Sequence, residues 1–137
     1  MADQGPAPFV TDIERATLDN TMFRDTLWTG QHLQLTVMAI PPGGEIGLEM
    51  HDDTDQFLRV EAGRGRVMMG RASNDLQFQE VVSDDDIVMV PAGSWHNVVN
   101  IGDTVLKVYS LYGPPDHVHG TRHATKQDAD EDPNEQD

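Results

Sequence analysis

The sequence predicts an all-β fold, a sandwich or barrel, built as one domain. Three observations predict it. Short runs rich in β-forming residues recur along the chain. Gly, Pro, Asn or Asp clusters separate them. At 137 residues, the chain can bury a core of its own without cross-links.

The elements follow in order. Residues 11–27 mix Ile13, Leu18, Met22 and Phe23 with many charges. They read as a short helix or irregular wrap near residues 19–23, within an N-terminal segment (1–29) that packs on the barrel. Residues 32–40 form a strand that stops at Pro41-Pro42-Gly43-Gly44. Residues 45–51 form the next, ending at the turn Asp52-Asp53-Thr54-Asp55. Further strands are expected at 56–61, 66–70, 77–82, 87–90, 97–100 and 105–112, which places the barrel at 30–115. The remaining segment, 116–137, ends in an acidic tail from Lys126 that is expected to be frayed or disordered.

Composition narrows the function. A net charge of −15 argues against nucleic acid or an anionic membrane as partner. The 17 Asp and 7 Glu are explained mostly as a solvated surface. There is no cysteine, so a metal would have to be held by nitrogen and oxygen. No apolar run approaches the roughly 20 residues that span a membrane. Residues 1–8 lack the pattern of a signal peptide, so the cytoplasm is the expected location.

One constellation carries chemistry. Glu49 and His51 are two apart, so on a strand they share a face. Glu49 is a charge inside the apolar run Ile46-Gly47-Leu48-Glu49-Met50. A buried carboxylate needs a partner, and either a cation or an arginine would serve; an exposed edge would remove the need. Gln56 and His96, the latter after the turn Pro91-Ala92-Gly93-Ser94, complete a possible four-ligand set. With Glu49 and His51 inward, Ile46, Leu48 and Met50 face outward. A homodimer would cover them, or else the N-terminal segment would. Trp95 falls on the outer face by the same parity, while Tyr109 and Tyr112 are core or rim. His117, His119 and His123 read as a surface loop docked on the barrel, in preference to a second metal site or a proton-shuttling lid.

The spacing resembles the two motifs of the cupin superfamily. The first, G-x5-H-x-H-x4-E-x6-G, is matched by Gly43, Glu49, His51, Gln56 and Gly63, with Glu49 for the first His and Gln56 for the Glu. The second, G-x5-P-x-G-x2-H-x3-N, is matched by Asp85, Pro91, Gly93, His96 and Asn100, with Asp85 for the first Gly. The resemblance implies a double-stranded β-helix, the cupin jelly-roll barrel, of about eight to ten strands. It also implies a divalent metal on Glu49, His51, Gln56 and His96. Zn, Mn, Fe, Ni and Co all accept such donors. A +2 ion with one carboxylate leaves the site at about +1, suited to Lewis-acid work on a carbonyl.

The chain is similar to small single-domain cupins described as mannose-6-phosphate-isomerase-like. Three functions are compatible: a metal-dependent isomerase or lyase, with Glu49 as the catalytic candidate; an iron- or manganese-dependent dioxygenase; and a non-enzymatic module for a small oxygen-rich molecule. A phosphosugar would need basic residues. Arg59 points outward by parity, and Lys107 and Arg122 sit in no phosphate-binding motif.

Overall fold

A computed structural model of the chain describes residues 2–135. The fold is the expected cupin barrel, two antiparallel sheets with the core between them. The chain runs α1 (Ile13–Asp19), β1 (Arg24–Thr29), β2 (Gln34–Ile40), β3 (Asp55–Ala62), β4 (Arg64–Gly70), β5 (Phe78–Ser83) and β6 (Ile87–Val90). It continues through β7 (Trp95–Asn100), β8 (Leu106–Gly113), β9 (Arg122–His123), α2 (Lys126–Glu131) and a 3-10 turn at Pro133–Glu135. The larger sheet has the order β6-β3-β8-β2-β1-β9, and the smaller has the order β5-β4-β7. Met38, Ile40, Leu58 and Val108 of the larger sheet share one core with Val67, Val82 and Val98 of the smaller. Each such side chain, fully buried, contributes about 1.5–3 kcal/mol. No helix among the described residues is long and apolar enough to cross a membrane.

Strand β8 shows the rule that makes the inside of the barrel. Leu106, Val108, Ser110 and Tyr112 are buried while the residues between them are partly exposed. Register then aligns Gln34, Tyr112 and Gln56 across β2, β8 and β3, with Val90 beyond them on β6. All four are buried, so two amides and a phenol lie in one inward-facing row.

Four expectations are corrected. The helix lies at Ile13–Asp19, where Asp12 caps it by accepting from the Arg15 amide at 3.1 Å, and Arg24–Thr29 is a strand. Polar residues hide that strand: Arg24, Asp25 and Thr26 are all buried. Residues 45–51 are not a regular strand; they touch β7 through single bridges, Glu45 to Val99 and Glu49 to His96.

Gly47 breaks the alternation with φ of +112°, and its amide turns to Asn97 Oδ1 at 2.9 Å. Ile46 is thereby buried in the core, and only Leu48 of the apolar pair 46 and 48 is exposed. The outward apolar face on which the homodimer was placed is therefore not formed by these residues. The acidic tail folds as far as Glu135: α2 opens with a capping box between Thr125 and Asp128 and buries Ala129. Gln136 and Asp137 lie outside the described residues.

Candidate metal centre

Three of the four candidate ligands meet at one point. One donor atom from each of Glu49, His51 and His96 lies within 4.8 Å of the others. Glu49 Oε1 stands 3.5 Å from His51 Nε2 and 3.5 Å from His96 Nε2. Donors bound to a common ion at ~2.1 Å stand about 3.0–3.4 Å apart, so Glu49 needs to close on each ring by only tenths of an ångström. The reciprocal backbone bonds between Glu49 and His96, at 2.9 and 3.0 Å, place the two side chains next to each other. The His51 carbonyl, accepting from the Gly93 amide at 2.7 Å, ties the other end of the segment to the turn before β7.

Each imidazole is oriented from behind. His51 Nδ1 lies 3.0 Å from Asp116 Oδ1, and His96 Nδ1 lies 3.0 Å from the Ser94 carbonyl. Those acceptors hold the proton on Nδ1 and leave Nε2 of each ring facing Glu49, the arrangement that metal-ligating histidines adopt. Both Nε2 atoms are buried without a hydrogen-bond partner among the described residues. Gln56 sits in the inward row: its Nε2 donates to Ser110 Oγ at 3.3 Å, and its Oε1 is buried and unpartnered. Buried acceptors left unsatisfied are costly. Two imidazole Nε2 atoms without such partners, converging on one carboxylate, form a donor set that a divalent cation fits.

Without a cation the centre acts as a charge pair. Burial works against ionisation of Glu49, but the adjoining His51 and His96 rings outweigh it and hold the carboxyl well below its usual range. Burial likewise opposes the His51 imidazolium, yet Asp116 and Glu49 on its two sides raise it to about 10. Asp116 is itself depressed: the His51 hydrogen bond and the nearby His117 overcome its burial. Burial is also the main cause raising the Tyr112 phenol. The Tyr112 ring lies edge-on to His51 at 6.0 Å and to His117 at 5.0 Å.

A cleft of about 830 Å³ leads to this centre, lined by Glu49, His51, Asp116, Trp95, Phe23 and Arg24 among others. Trp95 thus belongs to the cleft and not to an outer face. The basic candidates lie elsewhere: Arg59 pairs with Glu61 and Asp85, Lys107 donates to the Leu18 and Asn20 carbonyls, and Arg122 pairs with Asp25.

The three late histidines separate. His119 is exposed and meets the Gly5 carbonyl at 2.8 Å. His117 is buried, with Nδ1 2.8 Å from Glu135 and Nε2 unpartnered. His123 is buried on β9, and its Nε2 meets Asp132 at 2.9 Å. His123, Asp132 and Glu135 also converge within 4.8 Å, but His123 already holds Asp132, and His117 holds Glu135. Asp116 and Arg24 went unnoticed in the sequence. The available signal for Asp116 was its place just past Gly113-Pro114-Pro115, where the inward strand β8 ends.

The motif glycines prove to be conformational. Asp85, which stands where the motif has glycine, adopts φ of +76°, and its side chain meets Arg59 at 2.8 Å. Asn100 is structural too: its amide donates to the Ile40 and Thr104 carbonyls and accepts from the Gly102 amide, each at 2.9 Å.

Comparison with known proteins agrees with this architecture. The YrkC protein of Bacillus subtilis (strain 168) is 55% identical over 129 residues, 94% of this chain and 69% of YrkC. The L612 protein of Acanthamoeba polyphaga mimivirus is 33% identical over 113 residues, 82% of this chain and 69% of L612. The crystal structure of BH2720 from Bacillus halodurans is 56% identical and superposes with a TM-score of 0.93, over 94% of this chain and 98% of BH2720. The family model for the cupin domain matches residues 36–112, from β2 to the end of the inward row in β8, and the chain belongs to the cupin family.

Proposed function

We propose that the chain holds one divalent metal ion on Glu49, His51 and His96, with Gln56 Oε1 as a fourth donor, and that it acts on a small oxygen-rich molecule as an isomerase or lyase. The observation that carries this reading is the convergence of unpartnered buried acceptors on one carboxylate, with both rings locked from behind. A bound ion would supply Lewis-acid polarisation of a carbonyl.

The residues around it do the rest. Asp116 and the Ser94 carbonyl hold the rings in orientation. Phe23, Ile46 and Trp95 contribute apolar surface to a cleft lined mostly by polar groups, which suits an oxygen-rich molecule. A phosphosugar is not the substrate we propose: Arg59, Lys107 and Arg122 do not line the cleft, and of the two basic residues that do, Lys126 is engaged by Asp130 and Arg24 is buried. Elemental analysis of protein purified without chelator tests the root of the proposal. Close to one ion per chain is expected, and less than about a tenth would overturn it.

One observation favours a second reading. Two imidazoles and one carboxylate grouped on one face match the ligand set of non-haem iron oxygenases. Iron in the purified protein, with oxygen uptake in the presence of a diketone or catechol, would favour a dioxygenase. Zinc with turnover of a carbonyl substrate and no oxygen uptake would favour the isomerase or lyase.

A further inference from the structure

The metal centre leaves one cation of its cleft unused. Arg24 lines the same cleft as Glu49 and His51, yet only 4% of its surface is exposed. A guanidinium always carries its charge and only donates, so burying it calls for acceptors on every side. Arg24 has few. Its Nη1 meets His123 Nδ1 at 3.2 Å, which makes that nitrogen the acceptor and puts the ring proton on Nε2, facing Asp132. The carboxylate within electrostatic reach of Arg24, Asp132, is already engaged by His123 Nε2 at 2.9 Å. Arg24 Nε is buried with no hydrogen-bond partner among the described residues.

The guanidinium is held in place all the same. Its carbon sits 5.3 Å from the centre of the Phe23 ring, and the backbone of Arg24 pairs in register with His123. The other lysine or arginine along the cleft among the described residues, Lys126, is engaged by Asp130 at 2.9 Å. A buried guanidinium with an unpartnered Nε, lining the same cleft as a candidate metal centre, offers the donors that receive a carboxylate.

We propose that Arg24 is the carboxylate-recognition group of this cleft, so that the molecule bound beside the metal centre is a small carboxylic acid whose anion lies against the guanidinium. The inference rests on the site proposed above and adds the substrate class to it. Glu45, Asp52 and Asp53 also line the cleft, so an anion that binds there depends on Arg24 for its counter-charge. Arg24 is a binding residue in this account, and it specifies charge and position.

The test is titration of the metal-loaded full chain with malonate and with its neutral isostere malonamide. Metal content is measured on the same samples. The wild type is expected to prefer malonate. Arg24→Gln should weaken malonate by roughly 10–100-fold, leave malonamide within about twofold and keep its metal. Malonate binding in Arg24→Gln equal to wild type would overturn the proposal, as would a wild type that does not distinguish the two probes. Failure of the underlying site reads differently. A wild type without metal refutes the centre, while Arg24 is then judged on the chelator-treated chain, where a remaining malonate preference should vanish in Arg24→Gln. If Arg24→Gln does not fold, the ¹⁵N-labelled wild type decides. The Arg24 Nε–H resonance should move with malonate and stay with malonamide, and a resonance indifferent to malonate overturns the assignment.

Discussion

Asp116 is the most exposing test of the metal centre, because it touches no ligand atom that faces Glu49. Its Oδ1 receives the His51 Nδ1 proton at 3.0 Å from a carboxylate kept ionised by that contact. A hydrogen bond to a charged group is worth about 1.5–3 kcal/mol, and one between neutral groups about 0.5–1.5 kcal/mol. Asp116→Asn keeps an acceptor of the same shape and loses about 1–1.5 kcal/mol, roughly tenfold in metal affinity. Asp116→Ala removes the acceptor and frees the ring to rotate or change tautomer, which places the loss near 100-fold, the upper end for such partners. The assay is competition between the protein and a chelator of known affinity, read at fixed pH. His119→Ala is the control, since His119 is exposed and bound to the Gly5 carbonyl. The order expected is wild type equal to His119→Ala, then Asp116→Asn, then Asp116→Ala. An affinity for Asp116→Ala within about twofold of wild type would show that His51 is not oriented from behind, and the case for a prepared site would fail with it.

Four further outcomes follow from the same geometry. In the metal-free chain His51 is raised to about 10, so uptake of an ion at pH 7.5 should displace about one proton, measurable by calorimetry in buffers of different ionisation enthalpy. The same shift sets the pH profile of the metal-free fold. The raised His51 stabilises fully below its ordinary value of 6.5 and loses that contribution as pH climbs toward 10, while the depressed Glu49 stabilises above 4.5 and loses it on acidification, so melting temperature should peak between those values. Gln56→Leu removes a buried acceptor that has no partner together with the Nε2 bond to Ser110, so metal-free stability should change by less than about 1 kcal/mol while metal affinity falls; an unchanged metal affinity would mean that Gln56 is a packing residue only. Asn100→Ala strips three backbone groups of their partners and should cost about 3 kcal/mol in denaturant unfolding, with metal content of the folded fraction unchanged.

Much of the fold was legible because its strands are short, apolar on one side and closed by turn residues. The strand 87–90 has the same bounds in the structure, and β8 differs from expectation by one residue at each end. What misled the sequence reading was polarity at buried positions. Strand β1 carries Arg24, Asp25 and Thr26, and nothing in the pattern of those residues says strand. Its place between β2 and β9 comes from long-range pairing, with Val37 opposite Asp25 and His123 opposite Arg24. The tail failed for a related reason. Its composition is that of a solvated chain, yet a local capping box and the burial of Ala129 give α2 enough to form.

The site was legible only in its front half, and the division has a physical cause. Residues that face a common point must keep a fixed spacing along the strands that carry them, so Glu49, His51, Gln56 and His96 leave a pattern in the sequence. Residues that act from behind need only arrive, from any direction. Asp116 reaches His51 from the turn after β8, and His117 follows it inward to pack on Tyr112. Arg24 enters the cleft from β1, outside the matched segment 36–112, as does Asp116 beyond its other end. Parity failed at the point where function bent the strand. Gly47 lets Ile46 turn into the core while Glu49 turns to the centre, and a regular strand would present only one of them inward. A side chain at Gly47 would meet Lys126 Cε at 3.4 Å in a backbone conformation that L residues avoid. The positive φ, more than any lack of space, is therefore what calls for glycine here, and it supplies the change of face that lets Ile46 and Glu49 both turn inward.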